Sequence, residues 1–195
     1  MRNAPQIGKS APNFLTVGVY KKKLGKIRLS DYLGKKYVIL VFYPANFTPV
    51  SQTELIELNN RIKEFKKLST QILAISNDSP FSHLRCLLSN HKEGGLQNLE
   101  YPLVSDLTKT ITNDYNLLTD DGMAFPGLFI IDKEGVIQYY TVNNLLCGRS
   151  INEILRILKS IQYVKQNPGY ACPVDWKYED NILHSHPLKS TISFK

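Results

Sequence analysis

Hydrophobic positions along the chain form short continuous runs in some places and helically spaced patterns in others. The run Tyr37–Tyr43 contains only apolar, β-branched and aromatic residues, which is typical of a strand buried on both faces of a parallel sheet. Pro44 ends this run. After the loop 45–50, apolar residues recur at helical spacing with Lys and Glu between them, at Leu55, Ile56, Leu58, Ile62, Phe65 and Leu68. The pattern predicts a central strand followed by an amphipathic helix that begins at Ser51.

The other patterns complete an order of alternating elements. The turn Asp132–Gly135 between two apolar runs predicts a hairpin, and the helix expected over 150–166 has a capping box formed by Ser150 and Glu153. Further strands are predicted over 14–20, 26–29, 71–76, 101–105, 127–131 and 136–142, and further helices over 79–90 and 107–116. This order predicts an α/β protein of the thioredoxin-like fold class, with a central mixed sheet flanked by helices and a C-terminal arm.

Composition limits the number of domains. The 195 residues suffice for one domain with an arm, and we expect a thioredoxin-like domain over 4–165 and a polar C-terminal arm over 166–195. Hydrophobic residues make up 43% of the chain and charged residues 21%, which excludes disorder, collagen and coiled coil as descriptions of the whole chain.

No apolar stretch reaches about 18 residues, so no membrane span is expected. The first residues also lack the apolar core of a secretory signal.

Charge and cysteine content narrow the classes of partner. The net charge is +7, but the lysines are scattered and are not interleaved with aromatic residues as in a nucleic-acid platform. We therefore expect lysine-rich solvated faces and no nucleic-acid partner. The three cysteines, Cys86, Cys147 and Cys172, form no CxxC or Cys/His cluster, so neither a metal site nor a bound cofactor is expected.

The junction between the central strand and the next helix is the most informative place for chemistry. In open α/β sheets, ligands bind at the carboxyl ends of strands and at helix N-termini. The helix dipole and the unpaired backbone N–H groups stabilise an anion there. A cysteine at such a position becomes a thiolate with a low pKa, which reacts with peroxides and disulfides. This chain has Ser51 at that position.

The segment 42–54, FYPANFTPVSQTE, resembles the active-site loop of the typical 2-Cys peroxiredoxins, whose pattern is FYPxxFTFVCPTE. The resemblance extends over nearly the whole chain and is strongest to the bacterial and algal-plastid branch of the family. Further matches are IGKSAPNF over 7–14, SHL over 82–84, GGL over 94–96, YPLVSD over 101–106, GLFIID over 127–132, VNNL over 142–145, GRS over 148–150 and CPVDWK over 172–177.

This resemblance implies an activity and partners. The family reduces hydrogen peroxide and organic hydroperoxides, and thioredoxin resets the disulfide that forms. Its members are homodimers or rings of dimers that exchange their C-terminal arms. Pro44, Thr48, Glu54 and Arg149 match pocket residues of the family, and Cys172 matches its resolving cysteine. A hydroperoxide substrate and thioredoxin are therefore the expected partners. The expected location is the plastid stroma if the gene is organelle-encoded, and otherwise the cytoplasm.

Four positions depart from the family's pattern. Ser51 stands at the peroxidatic cysteine, Gln52 at the proline that follows it, Pro126 at the peroxide-binding arginine, and Cys86 at a tryptophan. A serine hydroxyl is un-ionised near neutral pH and cannot form a sulfenic acid. A proline supplies no cation to orient peroxide. We therefore expect the peroxidase step to be lost or strongly impaired.

Three functions stay open at this point. The chain is an antioxidant-family member without the peroxidase step, a non-catalytic homologue that acts by oligomerisation or chaperone-like binding, or an active peroxidase that uses Cys86. The residues 51–54 also form a capping box, SQTE, so we expect Ser51 to be the helix N-cap. The other interpretation is that Ser51 forms a hydrogen bond to a ligand.

For five further side chains the sequence predicts a structural role or an environment. Glu54 and Arg149 are expected to form an ion pair that braces the pocket. His83 is expected to be structural, and Cys147, in an apolar stretch, to be buried. Cys172 is expected to be either an inert remnant or an exposed thiol open to glutathionylation or to another disulfide.

Overall fold

The computed structural model describes residues 5–178, 180 and 182–185. Its central strand, β3 (Tyr37–Phe42), is buried at every position, as its continuous apolar run predicted. It pairs in parallel with β4 (Thr70–Ser76) and antiparallel with β6 (Gly127–Ile131). Both neighbours are themselves buried apolar strands, so the middle of the sheet is covered on both faces.

The outer strands make the sheet mixed. Strand β5 (Leu103–Ser105) runs parallel to β4, and β1 (Leu15–Tyr20) runs antiparallel to β5. The hairpin partners β2 (Lys23–Arg28) and β7 (Ile137–Val142) form the two edges. In the described residues the strand order of this sheet is β2-β1-β5-β4-β3-β6-β7. The predicted central mixed sheet flanked by helices is therefore confirmed.

The helix predicted to begin at Ser51 starts earlier than expected and is divided in two. The structure has α1 over Pro49–Asn60 and α2 over Ile62–Lys67, separated at Arg61. Helix α1 begins two residues earlier than expected because Pro49 occupies the first helical position, where its missing N–H and fixed φ suit a helix start. Thr48 is therefore the N-cap residue, and the prediction that Ser51 caps this helix is wrong.

Two further helices are shorter than predicted. Helix α3 spans Pro80–Leu88 and α4 spans Thr110–Asp114. Residues with left-handed backbone flank α4, with φ of 61° at Lys109 and 55° at Asn116, and these stop the helical pattern on both sides. Strand β5 is also shorter than the predicted 101–105, since it begins after Pro102, which has no backbone N–H to pair.

The chain forms two compact units, residues 1–149 and 150–195. In the second unit, α5 (Ile151–Gln166) has the predicted cap, because the Ser150 side chain accepts a hydrogen bond from the Glu153 N–H. Strands β8 (Tyr170–Ala171) and β9 (Leu183–His184) form a short hairpin. The Trp176 ring is 1% exposed and lies 4.9 Å from the Tyr163 ring. The expected arm over 166–195 lies in this unit, and its last ten residues fall outside the described part.

Among the described residues, no helix is both long enough and apolar enough to cross a bilayer. Within the same residues, no group of three or more His, Cys, Asp or Glu side chains is arranged to hold a metal ion.

Candidate active site

The candidate site lies where the chain leaves β3 and enters α1. Pro44 and the loop that follows it lead from the carboxyl end of β3 to the N-cap Thr48. Ser51 is the third residue of α1 and is only 5% exposed, so its hydroxyl sits in the first turn, near the positive end of the helix dipole. The predicted junction of strand, loop and helix is present, but Ser51 lies inside the helix.

The Ser51 hydroxyl is engaged by Thr48. The two hydroxyl oxygens are 2.7 Å apart, and the Thr48 Oγ1 lies 2.8 Å from the carbonyl oxygen of Ala45. A hydroxyl has one proton, so the Thr48 proton serves one of these two acceptors at a time. This arrangement holds both hydroxyls at the start of α1 and ties them to the loop.

One helical turn beyond Ser51, the carboxylate of Glu54 meets the guanidinium of Arg149. The distances are 2.9 Å from Nε to Oε1 and 2.5 Å from Nη2 to Oε2. The Arg149 Nη1 also donates to the carbonyl oxygens of Phe42 and Gly127. The side chains of Arg149 and Glu54 are only 3% and 5% exposed. The expected ion pair is therefore present, and it joins α1 to the ends of β3 and β6.

Gln52 attaches the first turn of α1 to a separate loop. Its side-chain Nε2 donates to the carbonyl oxygen of His91 at 2.7 Å and to that of Gly95 at 3.3 Å. A proline at this position would have no side-chain donor. The substitution noted in the sequence therefore adds a tether, which the sequence alone did not reveal.

Pro126 is buried immediately before β6, and its carbonyl oxygen accepts a hydrogen bond from the Asn143 N–H. It contributes no charge. Arg149, the cation bound to Glu54, directs four of its side-chain hydrogen bonds to oxygens of the fold. The guanidinium therefore donates its hydrogen bonds to the Glu54 carboxylate and to backbone carbonyl oxygens.

A partly buried polar network beneath the loop was not predicted from the sequence. The Asp78 carboxylate accepts from the Asn46 N–H at 2.8 Å, from the Ser76 hydroxyl at 2.7 Å and from the Ser82 hydroxyl at 3.0 Å. The Asn46 amide Nδ2 lies 2.9 Å from the Ser82 hydroxyl. A usable signal was present, because Asp78 follows β4 at the same carboxyl edge of the sheet as the loop after β3.

His83 completes this network as a neutral imidazole. Its Nε2 lies 3.2 Å from the Val104 carbonyl oxygen, which can only accept, so the proton is on Nε2. Its Nδ1 then accepts from the Asn46 Nδ2 at 3.1 Å, and the Tyr43 hydroxyl donates to the Asn46 Oδ1 at 2.9 Å. Burial lowers the pKa of His83 to about 4. The structural role expected for His83 agrees with these contacts.

The three cysteines lie in different environments. Cys86 is fully buried in α3, and desolvation raises the pKa of its thiol to about 11. Cys147 is exposed, so the expectation that it is buried is wrong: its apolar neighbour Leu146 is 83% exposed, and this stretch lies on the surface. In the second unit, the half-buried Cys172 has a raised pKa because of burial, and its sulfur lies 4.0 Å from the Ser160 carbonyl oxygen.

Comparisons with known proteins agree with this architecture. The AhpC/TSA family model matches residues 7–140. The chain is 75% identical to the peroxiredoxin-family protein ycf42 of Trieres chinensis, over all of this chain and 96% of the relative. It is 51% identical to the chloroplastic 2-cysteine peroxiredoxin of Chattonella marina var. antiqua, over 97% of each chain.

Solved structures of the same family superpose closely. The reduced 2-Cys peroxiredoxin of Plasmodium vivax has a TM-score of 0.88 and 38% identity, with 91% of this chain and 92% of that chain covered. The mitochondrial 2-Cys peroxiredoxin of Plasmodium falciparum has a TM-score of 0.82 and 43% identity, with 86% and 100% covered. The chain therefore belongs to the AhpC/TSA family and is a 2-Cys peroxiredoxin-family antioxidant protein with the thioredoxin-like α/β fold.

Proposed function

We propose that this chain is a peroxiredoxin-family protein in which the peroxide-reducing step is lost, and that Ser51 stands at the peroxidatic position. The observation that carries the proposal is the place of Ser51, in the first turn of the helix after the central strand and in hydrogen-bond contact with Thr48. The surrounding frame of Pro44, Thr48, Glu54 and Arg149 is retained, while the reactive sulfur is replaced by oxygen.

The chemistry of a hydroxyl explains the loss. Peroxide reduction needs an ionised nucleophile that cleaves the O–O bond and survives as a sulfenic acid. A helix dipole contributes about 0.3–2 kcal/mol, which is too little to populate an alkoxide at neutral pH. The nearby hydroxyl of Thr48 and the paired guanidinium of Arg149 do not change this balance.

With Pro126, a second requirement of peroxide reduction is not met. In the family an arginine at this place orients peroxide and stabilises the developing charge, and loss of one such electrostatic contact commonly costs about 10²–10³ in rate. Here the residue is a buried proline. Arg149 is held by Glu54 and by the carbonyl oxygens of Phe42 and Gly127, so it offers no free replacement in that position.

An active peroxidase that uses Cys86 is the competing hypothesis, and the chemistry of this thiol argues against it. With a pKa of about 11, roughly one Cys86 in 10⁴ is ionised at pH 7. The side chain is also fully buried, so peroxide has no direct approach to the sulfur.

Without a peroxidatic cysteine as its partner, Cys172 has no sulfenic acid to resolve, and it is retained as a half-buried thiol.

The second candidate function is binding, through self-association or association with catalytic relatives. Strand β7 is an edge of the sheet, and its outer residues Tyr140 and Val142 are 43% and 47% exposed. An edge strand with exposed apolar side chains is a template for pairing with another chain. We propose a homodimer through this edge, or a ring of dimers.

We also propose the plastid stroma as the location of the protein, because relatives are named as chloroplastic.

A coupled assay tests the first proposal. Thioredoxin, thioredoxin reductase, NADPH and hydrogen peroxide are mixed with the full chain, and NADPH oxidation is followed. We expect a rate equal to that of the protein-free control, and the same result for Cys86→Ser. Turnover by the chain that disappears in Cys86→Ser would establish the competing hypothesis.

Sedimentation velocity of the full chain, alone and mixed with a catalytic relative, tests the proposed self-association and association with relatives.

A further inference from the structure

Two neighbouring cavities meet at the segment before β5. One lies against the β1–β2 hairpin and α3, and the other lies against the end of β1, α2 and the start of β4. The larger, of about 400 Å³, is lined by Lys21, Lys22, Leu87, Asn98, Leu99 and Glu100. The smaller, of about 190 Å³, includes Tyr20, Lys36, Lys66 and Thr70 and is also lined by Glu100. Because Glu100 contributes to both, they form one surface feature, which we call the cationic cleft.

The cationic cleft is separate from the candidate active site. Thr70 begins β4 and Lys36 immediately precedes β3, so the cleft lies at the amino ends of the parallel strands. Ser51 follows the carboxyl end of β3. A six-residue strand spans roughly 20 Å, so a ligand in the cleft does not reach the Ser51 hydroxyl.

Positive charge predominates in the cleft. Four lysines, Lys21, Lys22, Lys36 and Lys66, face one carboxylate. Glu100 accepts a hydrogen bond from the Lys66 Nζ at 2.5 Å, and this bond, with further lysine charges, lowers the pKa of Glu100. The side chains of Lys22 and Lys36 have no hydrogen-bond or ion-pair partner within the described part of the chain. Net positive charge therefore remains for an anion.

The hairpin turn supplies two of these lysines at a conformational cost. Lys21 and Lys22 form the two-residue loop between Tyr20 and Lys23, and both have left-handed backbone, with φ of 49° and 62°. Such turns favour Asn-Gly, because an L side chain fits poorly at positive φ. The turn therefore lacks the residues that favour its backbone, and it places two lysine side chains at the cleft.

We propose that the cationic cleft binds an organic phosphate, with its phosphates at Lys21 and Lys22 and its apolar or aromatic body against Leu87 and Leu99. Lysine ammonium groups bind phosphate as point charges, and a cavity of this size lies in the usual range for small-molecule sites. The Glu100 carboxylate offers an acceptor for a hydroxyl or amine of the ligand. A nucleotide has all three chemical features, so it is the probe of choice.

Isothermal titration calorimetry of the full chain with ATP, adenosine and tripolyphosphate tests this proposal. We expect ATP to bind at least about tenfold more tightly than either of the other two. In Lys21→Asn/Lys22→Gly, ATP affinity should fall about tenfold or more while Tm rises, because the turn then has its preferred residues. This opposite movement of affinity and stability separates a binding role from a structural one.

The matched control is Lys9→Gln/Lys92→Gln, which removes the same charge from two exposed lysines that do not line the cleft. Its ATP affinity should stay within about twofold of the starting protein. The proposal is overturned if ATP does not bind, if adenosine or tripolyphosphate binds as tightly as ATP, or if the turn variant and the control lose affinity equally.

Discussion

The carboxylate of Glu54 and the guanidinium of Arg149 form a buried, bidentate ion pair that connects α1 with the ends of two central strands. Both charges are almost completely removed from water, so each depends on the other for compensation. The pair fixes the helix turn that follows Ser51, and it does so whether or not that position is reactive.

Glu54→Gln should therefore be strongly destabilising, because it leaves the Arg149 charge buried without a counter-ion. We expect the free energy of unfolding to fall by about 3–5 kcal/mol, measured by urea denaturation. The matched control is Glu153→Gln, which breaks the solvent-exposed pair with Arg156 and should cost less than about 1 kcal/mol. Equal effects in the two variants would show that burial does not determine the strength of the Glu54–Arg149 pair.

Gln52→Ala removes the tether between α1 and the loop at His91 and Gly95. Two hydrogen bonds are lost, so we expect a loss of about 1–2 kcal/mol in unfolding free energy. Amide hydrogen exchange in the first turn of α1 should also become faster. Gln97→Ala, in an exposed part of the same loop, is the control and should change neither quantity. Unchanged exchange in Gln52→Ala would contradict the tether.

Acid should destabilise the fold through His83. Its pKa is about 4 in the folded protein and about 6.5 unfolded, so between these values the unfolded state binds more protons. Stability is full above pH 6.5 and falls as pH decreases towards 4. From pH 7.5 to pH 5 this residue alone should cost about 2 kcal/mol.

Urea denaturation at both pH values measures this effect. His83→Asn should lose most of the pH dependence, while His91→Asn, at an exposed histidine, should keep it. If His83→Asn shows the same dependence on pH as the starting protein, another group is responsible.

The three thiols should react in a fixed order with a disulfide reagent such as dithiobis(nitrobenzoate). Cys147 is exposed and should react first, and Cys172, half-buried with a raised pKa, should be slower. Cys86 should react only after unfolding, because it is buried and its pKa is about 11. Mass spectrometry of the labelled peptides gives the order. Fast labelling of Cys86 in the native protein would revive the hypothesis that it is reactive.

Restoring sulfur alone should restore little activity. We expect Ser51→Cys to reduce peroxide slowly, and Ser51→Cys/Pro126→Arg to be faster by at least about tenfold, because an arginine supplies the missing cation. Peroxide consumption in the thioredoxin-coupled assay measures both rates, with Pro126→Arg alone as the inactive control. A single Ser51→Cys variant as fast as the double variant would show that Pro126 is not a second cause of the loss.

The sheet was predictable because its central strands have continuous apolar runs. The run Tyr37–Tyr43 predicted β3 to within one residue, and 127–131 matched β6 at both ends. Helix ends were less predictable, since they depend on single backbone conformations, such as that at Arg61, which interrupts an otherwise continuous helical pattern.

Within the site, local motifs predicted where the candidate residues lie, but they did not predict the contacts between residues far apart in the sequence. The Glu54–Arg149 pair was foreseen because both residues belong to motifs of the family. The links from Asn46 to Asp78 and His83 join residues far apart in the sequence, and no periodicity marks them. The capping-box prediction for Ser51 failed because Pro49 allows the helix to begin two residues earlier.

The rate at which the unmodified chain consumes one equivalent of hydrogen peroxide tests the central claim most directly. The fully reduced chain is mixed with peroxide in a stopped-flow instrument, and remaining peroxide and cysteine sulfenic acid are measured over time. We predict that peroxide decays at the rate given by ordinary exposed thiols and that Cys86 is not oxidised. Stoichiometric consumption within seconds would contradict the account and show that a functional peroxidatic group is present.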